Sequence, residues 1–423
     1  MTYKSNIFRN TFFKALQSLK HSFSIIIVSV LLLSSCSTLH LNKSNSEKKW
    51  VGTWSTAPQL VEPGNMPPAP GLSNNTLRQV VRVSLGGDSL RIRFVNIFST
   101  NATTMKTVHI AVLSEGGKID SATTKELKFS GNAEITMSPG VTITSDPIAF
   151  DLKPRMTLAI TIVFGETSTD LTGHPGSRTT SYLLAGNQSS SVDFKDAIKT
   201  DHWYVINGID VKAPKSAAAV AILGNSITDG RGSGTNKQNR WADIFSERLL
   251  KNPTTQQVGV LNLGIGGNCV VKGGLGPTAL SRFDRDILQQ KSVKWLIVLE
   301  GINDIGGIKD SISAPQVAQS LIAAYTEMID KAHAKGIKVY GATILPFKKS
   351  FYDKDFRQTA RDIVNEWIRT SGRFDAVIDF DKAMTDPTTS QTILPNLHSG
   401  DFLHPNEAGY QKMGEFIDLK LFE

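Results

Sequence analysis

Cysteine is nearly absent from this chain of 423 residues, which has only Cys36 and Cys269. Two thiols allow at most one disulfide, and they cannot supply the several thiolates that a cysteine zinc site needs. The sequence also lacks a dense run of lysine and arginine interleaved with aromatic residues. Disulfide-stapled scaffolds and cysteine zinc modules are therefore excluded, and we expect no nucleic-acid partner.

Residues 1–36 have the pattern of a targeting segment. A basic lead without acidic residues precedes the apolar stretch at residues 23–33, whose length is too short to span a bilayer but suits a signal peptide. The stretch ends in Leu33-Ser34-Ser35-Cys36, which resembles a bacterial lipobox. The resemblance implies a lipoprotein signal peptide that ends at a lipidated Cys36; a plain signal peptide with an incidental cysteine is the alternative. Its removal lowers the formal net charge from +8 to about +4.

A lipidated Cys36 would anchor the protein to a membrane without spanning it. Because Ser37 rather than Asp follows the cysteine, the segment resembles lipoproteins that are passed on to the outer membrane. We expect a bacterial cell-envelope location, on the periplasmic or surface face. The polar residues 37–49 would tether the lipid to the folded protein, and Cys269 would be left without a disulfide partner.

Residues 50–212 show a sequence period of two and no convincing helical stripe. Apolar residues alternate from Leu77 to Leu85 and again from Leu90 to Phe94, and the Gly-Gly-Asp between them predicts a β-hairpin. Similar short runs recur between clusters of Ser, Gly, Asn and Pro, which predicts an all-β sandwich or jelly roll. About 390 residues after the signal are too many for one core, and a boundary is expected at residues 211–215.

The role of this first domain stays open at the level of sequence. Its aromatic residues could stack on a sugar, but aromatics in a β-sandwich more often pack in the core or between domains. A loop at residues 173–178 could overhang an active site or have no role. Arginines at alternate strand positions are interpreted as a solvated face. The aromatic residues are Trp50, Trp54, Trp203 and Tyr204, and the arginines are Arg78, Arg82, Arg91 and Arg93.

Residues 216–423 alternate apolar runs with helical patterns. The clearest helical stripe runs from Val317 to Ala332, with Ser313 as the expected cap and Gly336 at the exit. Further helices are expected at residues 356–368 and 406–421. Five strands that are each followed by a helix predict a three-layer α/β/α sandwich with a parallel sheet. The runs lie at residues 217–223, 258–263, 295–299, 337–345 and 375–380.

Four of these runs are followed by blocks of glycine and polar residues. Ligands gather at the carboxyl ends of strands in open α/β sheets, so the blocks are expected to meet. They are GNSITDG at residues 224–230, NLGIGGN at 262–268, EGIND at 300–304 and DFLHPN at 401–406. In this order they resemble the GDSL, or SGNH, hydrolase superfamily across essentially the whole of residues 216–423.

The resemblance implies an ester hydrolase with a flavodoxin-like fold that needs no metal or organic cofactor. It assigns Ser226 as the nucleophile, with Asp401 and His404 completing a triad. The backbone N–H groups of Ser226 and Gly267 and the side-chain amide of Asn303 would form the oxyanion hole. The chemistry agrees, because a nucleophilic serine needs a base, a group that orients the base, and donors where negative charge develops. No Gly-x-Ser-x-Gly elbow is present, so the α/β-hydrolase fold is not implied.

Each of these residues also has a structural interpretation. Ser226 could cap a helix, Gly267 could fill a left-handed turn, Asn303 could form an Asx turn and His404 could begin a helix. Asn225 stands where the family commonly has Asp, so the rate or the pH optimum could differ.

The sequence also contains patterns of other chemistries. The spacing His398-x-x-Asp401-x-x-His404 could suggest metal ligands, and Cys269 could be imagined as a nucleophile. The glycines of residues 230–234 resemble a phosphate cradle in composition only, because the Gly-x-x-x-x-Gly-Lys spacing is missing.

We therefore expect a lipid-anchored ester hydrolase that removes short acyl groups, namely acetyl, from carbohydrate. A lipase or a general short-chain carboxylesterase is the first alternative. A non-catalytic, glycan-binding surface lipoprotein is the alternative of another class. The expected partners are an ester substrate and a membrane, and the sequence leaves the oligomeric state open.

Overall fold

The protein is described by a computed structural model that covers residues 47–423. The expected signal peptide, Cys36 and most of the expected tether lie outside the described residues. From Lys48 onward the chain is one compact unit, in which an all-β part precedes an α/β part. None of the helices in residues 47–423 is long and apolar enough to cross a membrane.

The β part is built from antiparallel sheets. One sheet has the order β1-β15-β4-β8 with β9 paired to β4, another β13-β12-β3-β10-β5-β6 with β7 paired to β5, and a small one β14-β11-β2. Apolar residues from the two larger sheets meet in a common core, as in a sandwich. The strands are β1 Lys48–Ser55, β2 Gln59–Leu60, β3 Thr76–Arg82, β4 Gly87–Asn96, β5 Thr103–Glu115, β6 Lys118–Leu127, β7 Ile135–Met137, β8 Val141–Thr144, β9 Ile148–Leu152, β10 Thr157–Phe164, β11 Thr172–His174, β12 Ser181–Leu184, β13 Ile198–Thr200, β14 Trp203–Tyr204 and β15 Ile206–Pro214.

The predicted hairpin between β3 and β4 is wrong, because these strands belong to different sheets. β3 pairs with β10 and β12, whereas β4 pairs with β15, β8 and β9. Their connection passes against neighbouring backbone: a Cβ on Gly86 would lie 2.4 Å from the Leu152 carbonyl oxygen, and one on Gly87 would lie 2.3 Å from that of Lys212. The two glycines thus allow a close crossing between sheets rather than a tight hairpin turn.

The interpretation of the arginines as a solvated face is also wrong. Arg78 is fully buried and Arg93 is 9% exposed, while Arg82 and Arg91 are half-buried. The Arg93 guanidinium donates to Asp210 Oδ1 at 2.7 Å and, across to the α/β part, to Gln290 Oε1 at 2.6 Å.

Three of the four aromatic residues pack in the interior. Trp54 and Trp203 are buried and meet edge-on, with ring centroids 5.0 Å apart, and Tyr204 is fully buried. Trp50 is half-buried beneath the Arg91 guanidinium, which lies 4.4 Å from the ring centroid. These contacts are those of packing groups rather than of an open sugar platform.

The α/β part has the predicted parallel sheet, in the order β17-β16-β18-β19-β20. Along β16, Ala219, Ala221 and Leu223 face one hydrophobic core, whereas Val220 and Ile222 face another. Burial on both faces is what a three-layer sandwich requires of its sheet. The strands are β16 Ala218–Gly224, β17 Val258–Gly264, β18 Val293–Leu299, β19 Lys338–Ala342 and β20 Ala376–Ile378. The helices are α1 Ser226–Asp229, α2 Trp241–Lys251, α3 Ala279–Phe283, α4 Ile302–Gly306, α5 Ser313–His333, α6 Asp355–Thr370, α7 Phe380–Met384 and α8 Glu407–Phe416.

The two parts share a hydrophobic core and polar contacts. The backbone N–H of Val260, on the edge strand β17, donates to Ser84 Oγ at 3.0 Å. Ser292 Oγ donates to the carbonyl oxygen of Trp50 at 2.8 Å. The β part therefore covers an edge of the parallel sheet that would otherwise present unpaired backbone groups.

Candidate active site

Ser226 lies where β16 ends and α1 begins. Asn225 caps this short helix, because its side-chain oxygen accepts a hydrogen bond of 3.1 Å from the backbone N–H of Ile227. Gly230 then closes the helix with φ of 103°, a conformation that favours glycine. Ser226 is therefore the first residue of the helix and not its cap, and it lies at the carboxyl end of the sheet.

A chain of hydrogen bonds joins Ser226, His404 and Asp401. Ser226 Oγ lies 2.9 Å from His404 Nε2, and His404 Nδ1 lies 2.6 Å from Asp401 Oδ2. Asp401 Oδ1 also accepts from the backbone N–H groups of Leu403 and His404. Since a carboxylate only accepts, Nδ1 of His404 carries the proton and Nε2 is free to accept the serine proton.

The electrostatics suit a general base next to an ionised carboxylate. Burial lowers the pKa of His404 below its ordinary value, against the opposing effect of Asp401, and Arg231 and Arg178 lower it further. Burial alone would raise the pKa of Asp401, but hydrogen bonds from His404 and the neighbouring backbone lower it to about 2. At neutral pH the imidazole is therefore neutral beside a charged carboxylate, as proton abstraction from a serine requires.

The candidate oxyanion-hole residues line the same cavity of about 390 Å³ as Ser226 and His404. Gly267 has φ of 70°, so a left-handed turn brings its backbone to the cavity. Asn303 Nδ2 donates one hydrogen to the carbonyl oxygen of Asn268 at 2.7 Å, which leaves its second amide hydrogen for another acceptor. The structure thus brings together all the catalytic and oxyanion-hole residues expected from the sequence, with Asp401 behind His404.

Tyr352 is a site residue that the sequence did not reveal. It lies in the loop after β19 and lines the cavity, and its hydroxyl donates to Asn303 Oδ1 at 3.0 Å. A single tyrosine in a loop has no spacing signature that could have identified it. Its hydroxyl, together with the Asn268 carbonyl, determines which way the Asn303 amide faces.

Asn225, which stands where the family commonly has Asp, is hydrogen-bonded to Glu300. Asn225 Nδ2 donates to Glu300 Oε2 at 3.2 Å, and Glu300 is almost completely buried. Burial raises the pKa of Glu300 to about 8, although Arg282 opposes the shift. Arg282 itself is buried and donates to the carbonyl oxygens of Gly224 and Leu263 and to Asn268 Oδ1. This polar cluster fixes the strand ends beneath the candidate nucleophile.

The loop at residues 173–178 reaches over the cavity from the β part. His174 Nε2 lies 2.9 Å from Asp229 Oδ1, and Arg178 Nη2 donates to Asp229 Oδ2 at 3.3 Å. A Cβ on Gly176 would lie 1.9 Å from Asp229 Oδ2, so only glycine allows this approach. Pro175, Gly176 and Arg178 line the cavity beside Ser226. Of the two interpretations of this loop, the structure favours the one in which it overhangs the site.

The alternative chemistries find less support in the geometry. His398 Nδ1 accepts hydrogen bonds from the backbone N–H groups of Gly400 and Phe402, which orients the ring within its own loop. Among residues 47–423 no group of His, Cys, Asp and Glu is arranged to hold a metal ion. Burial raises the pKa of Cys269 to about 12, so its thiol stays protonated.

Comparison with known proteins identifies the α/β part. Residues 222–412 match the GDSL-like lipase/acylhydrolase family. The chain carries a GDSL-like lipase/acylhydrolase domain. The match supports a carboxylic ester hydrolase in general and does not specify the substrate. No curated protein matches the chain.

Solved structures with this fold resemble about half of the chain. A putative lipolytic protein from Desulfitobacterium hafniense is 23% identical, with a TM-score of 0.37 over 47% of this chain and 97% of its own. A GDSL-like lipase from Bacteroides thetaiotaomicron is 20% identical, with a TM-score of 0.35 over 48% and 87%. A catalytic mutant of an acetylxylan esterase from Geobacillus stearothermophilus is 18% identical, with a TM-score of 0.38 over 49% and 96%.

Proposed function

We propose that the protein is a serine ester hydrolase that works through an acyl-enzyme. The hydrogen-bonded chain from Ser226 Oγ through His404 to Asp401, with distances of 2.9 Å and 2.6 Å, is the observation that carries this proposal. A serine that only capped a helix would have no need of an oriented imidazole.

The mechanism follows from the donors and acceptors in place. His404 Nε2 takes the Ser226 proton while Oγ attacks the ester carbonyl, and the negative charge on the carbonyl oxygen is stabilised by N–H groups of Ser226, Gly267 and Asn303. The alcohol leaves with the proton from His404, and the acyl group stays on Ser226. A water that gives its proton to His404 then attacks the acyl-enzyme and releases the acid.

The proposed substrate is a carbohydrate that carries short acyl groups, namely acetyl. The cavity that contains His404 is also lined by polar side chains that can bind sugar hydroxyl groups by hydrogen bonds. These side chains come from the β part, which is our reason for assigning it to substrate binding. They are Gln59, Glu62, Asn65 and His202.

A second cavity favours longer acyl groups as the alternative substrate. It has a volume of about 670 Å³ and shares Gly267, Asn303 and Tyr352 with the first. Its apolar lining includes Val271 and Ile308, which suits an acyl chain longer than acetyl. A lipase or general carboxylesterase would use this space.

The test is hydrolysis of a chromogenic acetyl ester, of longer-chain esters and of acetylated xylan by the soluble chain without its first 46 residues. Ser226→Ala should lower kcat by at least ~10³-fold, whereas the control Ser233→Ala, which lies outside the cavity lining, should stay within about twofold. Retained activity in Ser226→Ala would overturn the mechanism. Glycan binding without hydrolysis in the parent protein would favour the surface binder.

We also propose that Cys36 carries a lipid that anchors the enzyme in the bacterial cell envelope, on the outer membrane. The support is the pattern of residues 1–36, in which a basic lead and an apolar stretch end at this cysteine. Cys36→Ala should abolish incorporation of labelled palmitate and release the protein from the membrane fraction. An unchanged membrane fraction would refute the anchor.

A further inference from the structure

Two arginines lie at the mouth of the cavity that contains Ser226 and His404. Arg178 comes from the loop of the β part, and Arg231 follows α1, with its backbone N–H donating to the Ser226 carbonyl oxygen at 2.9 Å. We call this pair the arginine rim. The rim brings guanidinium groups from both parts of the chain to one cavity.

The acidic groups that line this cavity, and Asp401 behind His404, already have partners. Asp229 is engaged by His174 and Arg178, and Asp401 by His404. Glu62 accepts hydrogen bonds from the side-chain amides of Gln59 and Asn65, at 2.5 Å and 3.0 Å.

The arginine rim has guanidinium N–H groups that are not engaged by other side chains in the described part of the chain. The Arg231 side chain is exposed and has no side-chain partner among residues 47–423. Arg178 donates one N–H, from Nη2, to Asp229, and its side chain is 31% exposed. A guanidinium offers five N–H donors, so the pair can bind a further anion.

Arg178 is also held in an unfavourable backbone conformation. Its φ is 52°, and the φ of Asn236 is 65°. These residues are tied together, because the backbone N–H of Asn236 donates to the Arg178 carbonyl oxygen at 3.0 Å, and Asn236 Oδ1 accepts from the Thr180 N–H at 2.7 Å. Left-handed non-glycine residues that cluster beside a site commonly serve its function. Here they fix the position of Arg178.

We infer that the arginine rim binds a carboxylate of the substrate, so that the preferred ester is an acylated acidic sugar, such as a uronate. The inference rests on the proposed esterase function. Because a short acyl group has no charge, the carboxylate must belong to the alcohol part of the ester. Arg–carboxylate pairs combine charge with directed hydrogen bonds, which makes them selective as well as strong.

A carboxylate bound at the arginine rim would also favour proton transfer to His404. Two cations near His404 oppose formation of the imidazolium that appears when it takes the serine proton. A bound carboxylate screens these cations at the moment of reaction. An anionic substrate should therefore react faster as well as bind more tightly.

The test compares acetate release from a mono-acetylated methyl glucuronoside and from the matching methyl glucoside. The parent protein should favour the glucuronoside about tenfold in kcat/KM, in line with a charge-assisted hydrogen bond. Arg178→Gln and Arg231→Gln should each bring the ratio of the two values towards one. The control Arg373→Gln, which removes a charge paired with Asp330, should keep the parent ratio. A ratio near one in the parent protein, or a ratio that the rim variants leave unchanged, would overturn the inference.

A binding measurement separates this inference from the esterase proposal. Ser226→Ala protein is titrated with methyl glucuronoside and methyl glucoside, neither of which has an ester bond, and binding is followed by ligand-observed NMR. If the protein binds the glucuronoside selectively and Arg231→Gln abolishes this binding, carboxylate binding by the arginine rim is supported even if no ester is hydrolysed. Hydrolysis of both esters with no preference and no selective binding refutes the rim and leaves the esterase proposal intact.

Discussion

The hydroxyl of Tyr352 donates a hydrogen bond of 3.0 Å to the side-chain oxygen of Asn303. Burial raises the pKa of this tyrosine, so the hydroxyl stays protonated and remains a donor. Because the Asn303 nitrogen is held by the Asn268 carbonyl oxygen, the amide is fixed at both ends. In the proposed mechanism its remaining hydrogen is available to a carbonyl oxygen that becomes negative.

Tyr352→Phe should therefore lower kcat about fivefold and leave KM within about twofold, since one hydrogen bond of ~1 kcal/mol orients a transition-state donor. The control Tyr340→Phe removes a hydroxyl that bonds to the Leu421 carbonyl oxygen outside this cavity. Both variants are compared by steady-state kinetics and thermal unfolding. Equal losses in the two variants, or a change in KM alone, would refute an orienting role for Tyr352.

The pH profile should report the lowered pKa of His404. The base must be neutral, so kcat/KM should rise with pH through this pKa and reach half its plateau below pH 6.5, the ordinary value for histidine. Arg231→Gln removes one cation that lowers the pKa, so its midpoint should move upward, whereas Arg373→Gln should not shift it. A midpoint above pH 6.5 in the parent protein would contradict the assignment of His404 as the base.

Asn225→Asp should destabilise the protein, and the loss of stability should increase with pH. The pKa of buried Glu300 is raised from 4.5 to about 8, and a second carboxyl beside it would raise the pKa values of the pair further. A folded-state pKa above the unfolded value means that the unfolded chain releases protons first, so stability falls as the pH rises from about 4.5 towards 8 and beyond. Relative to the parent, we expect a loss of about 2 kcal/mol at pH 9 and much less at pH 5.

Thermal unfolding at the two pH values measures this difference. Asn396→Asp is the matched control, because Asn396 is exposed. A loss in Asn225→Asp that stays constant with pH would show that the Asn225–Glu300 contact is not the cause.

Arg93→Met should destabilise the fold by about 3 kcal/mol. The substitution removes one of the two arginines that pair with Asp210, whose side chain is fully buried, and also the hydrogen bond to Gln290 in the α/β part. Lys153→Met is the control, because its ion pair with Asp151 is largely exposed and surface pairs contribute little. Denaturant unfolding measures both, and equal effects would contradict the importance of the buried pair.

The sequence predicted the α/β part well because each of its signals is local. A short apolar run followed by a glycine or polar block identifies both a strand and its functional end, and β16 with Ser226 shows this directly. Parallel strands in such a sheet point the same way, so the blocks had to meet at one edge. The same reasoning explains why the sheet and the geometry of the candidate triad could be predicted together.

Features that depend on distant pairing could not be predicted in the same way. Alternation identified the strand that contains Arg93, but its partner Asp210 lies 117 residues away, so a buried ion pair looked like a solvated face. The alternation of apolar residues predicted the strands β3 and β4. It did not predict which sheet each strand belongs to, because alternation does not specify the neighbouring strand. Tyr352 and the loop at residues 173–178 act through contacts with other segments, and no local pattern distinguishes them.

Covalent labelling tests the central claim, that Ser226 is the nucleophile of an ester hydrolase, most directly. The protein is mixed with a 4-nitrophenyl alkylphosphonate, which transfers its phosphonyl group to an activated serine and releases 4-nitrophenolate, and the adduct is located by peptide mass spectrometry. We expect one phosphonyl group per chain on Ser226, with loss of esterase activity, and much slower labelling of His404→Ala. Labelling of another residue, or full activity in Ser226→Ala, would contradict the claim.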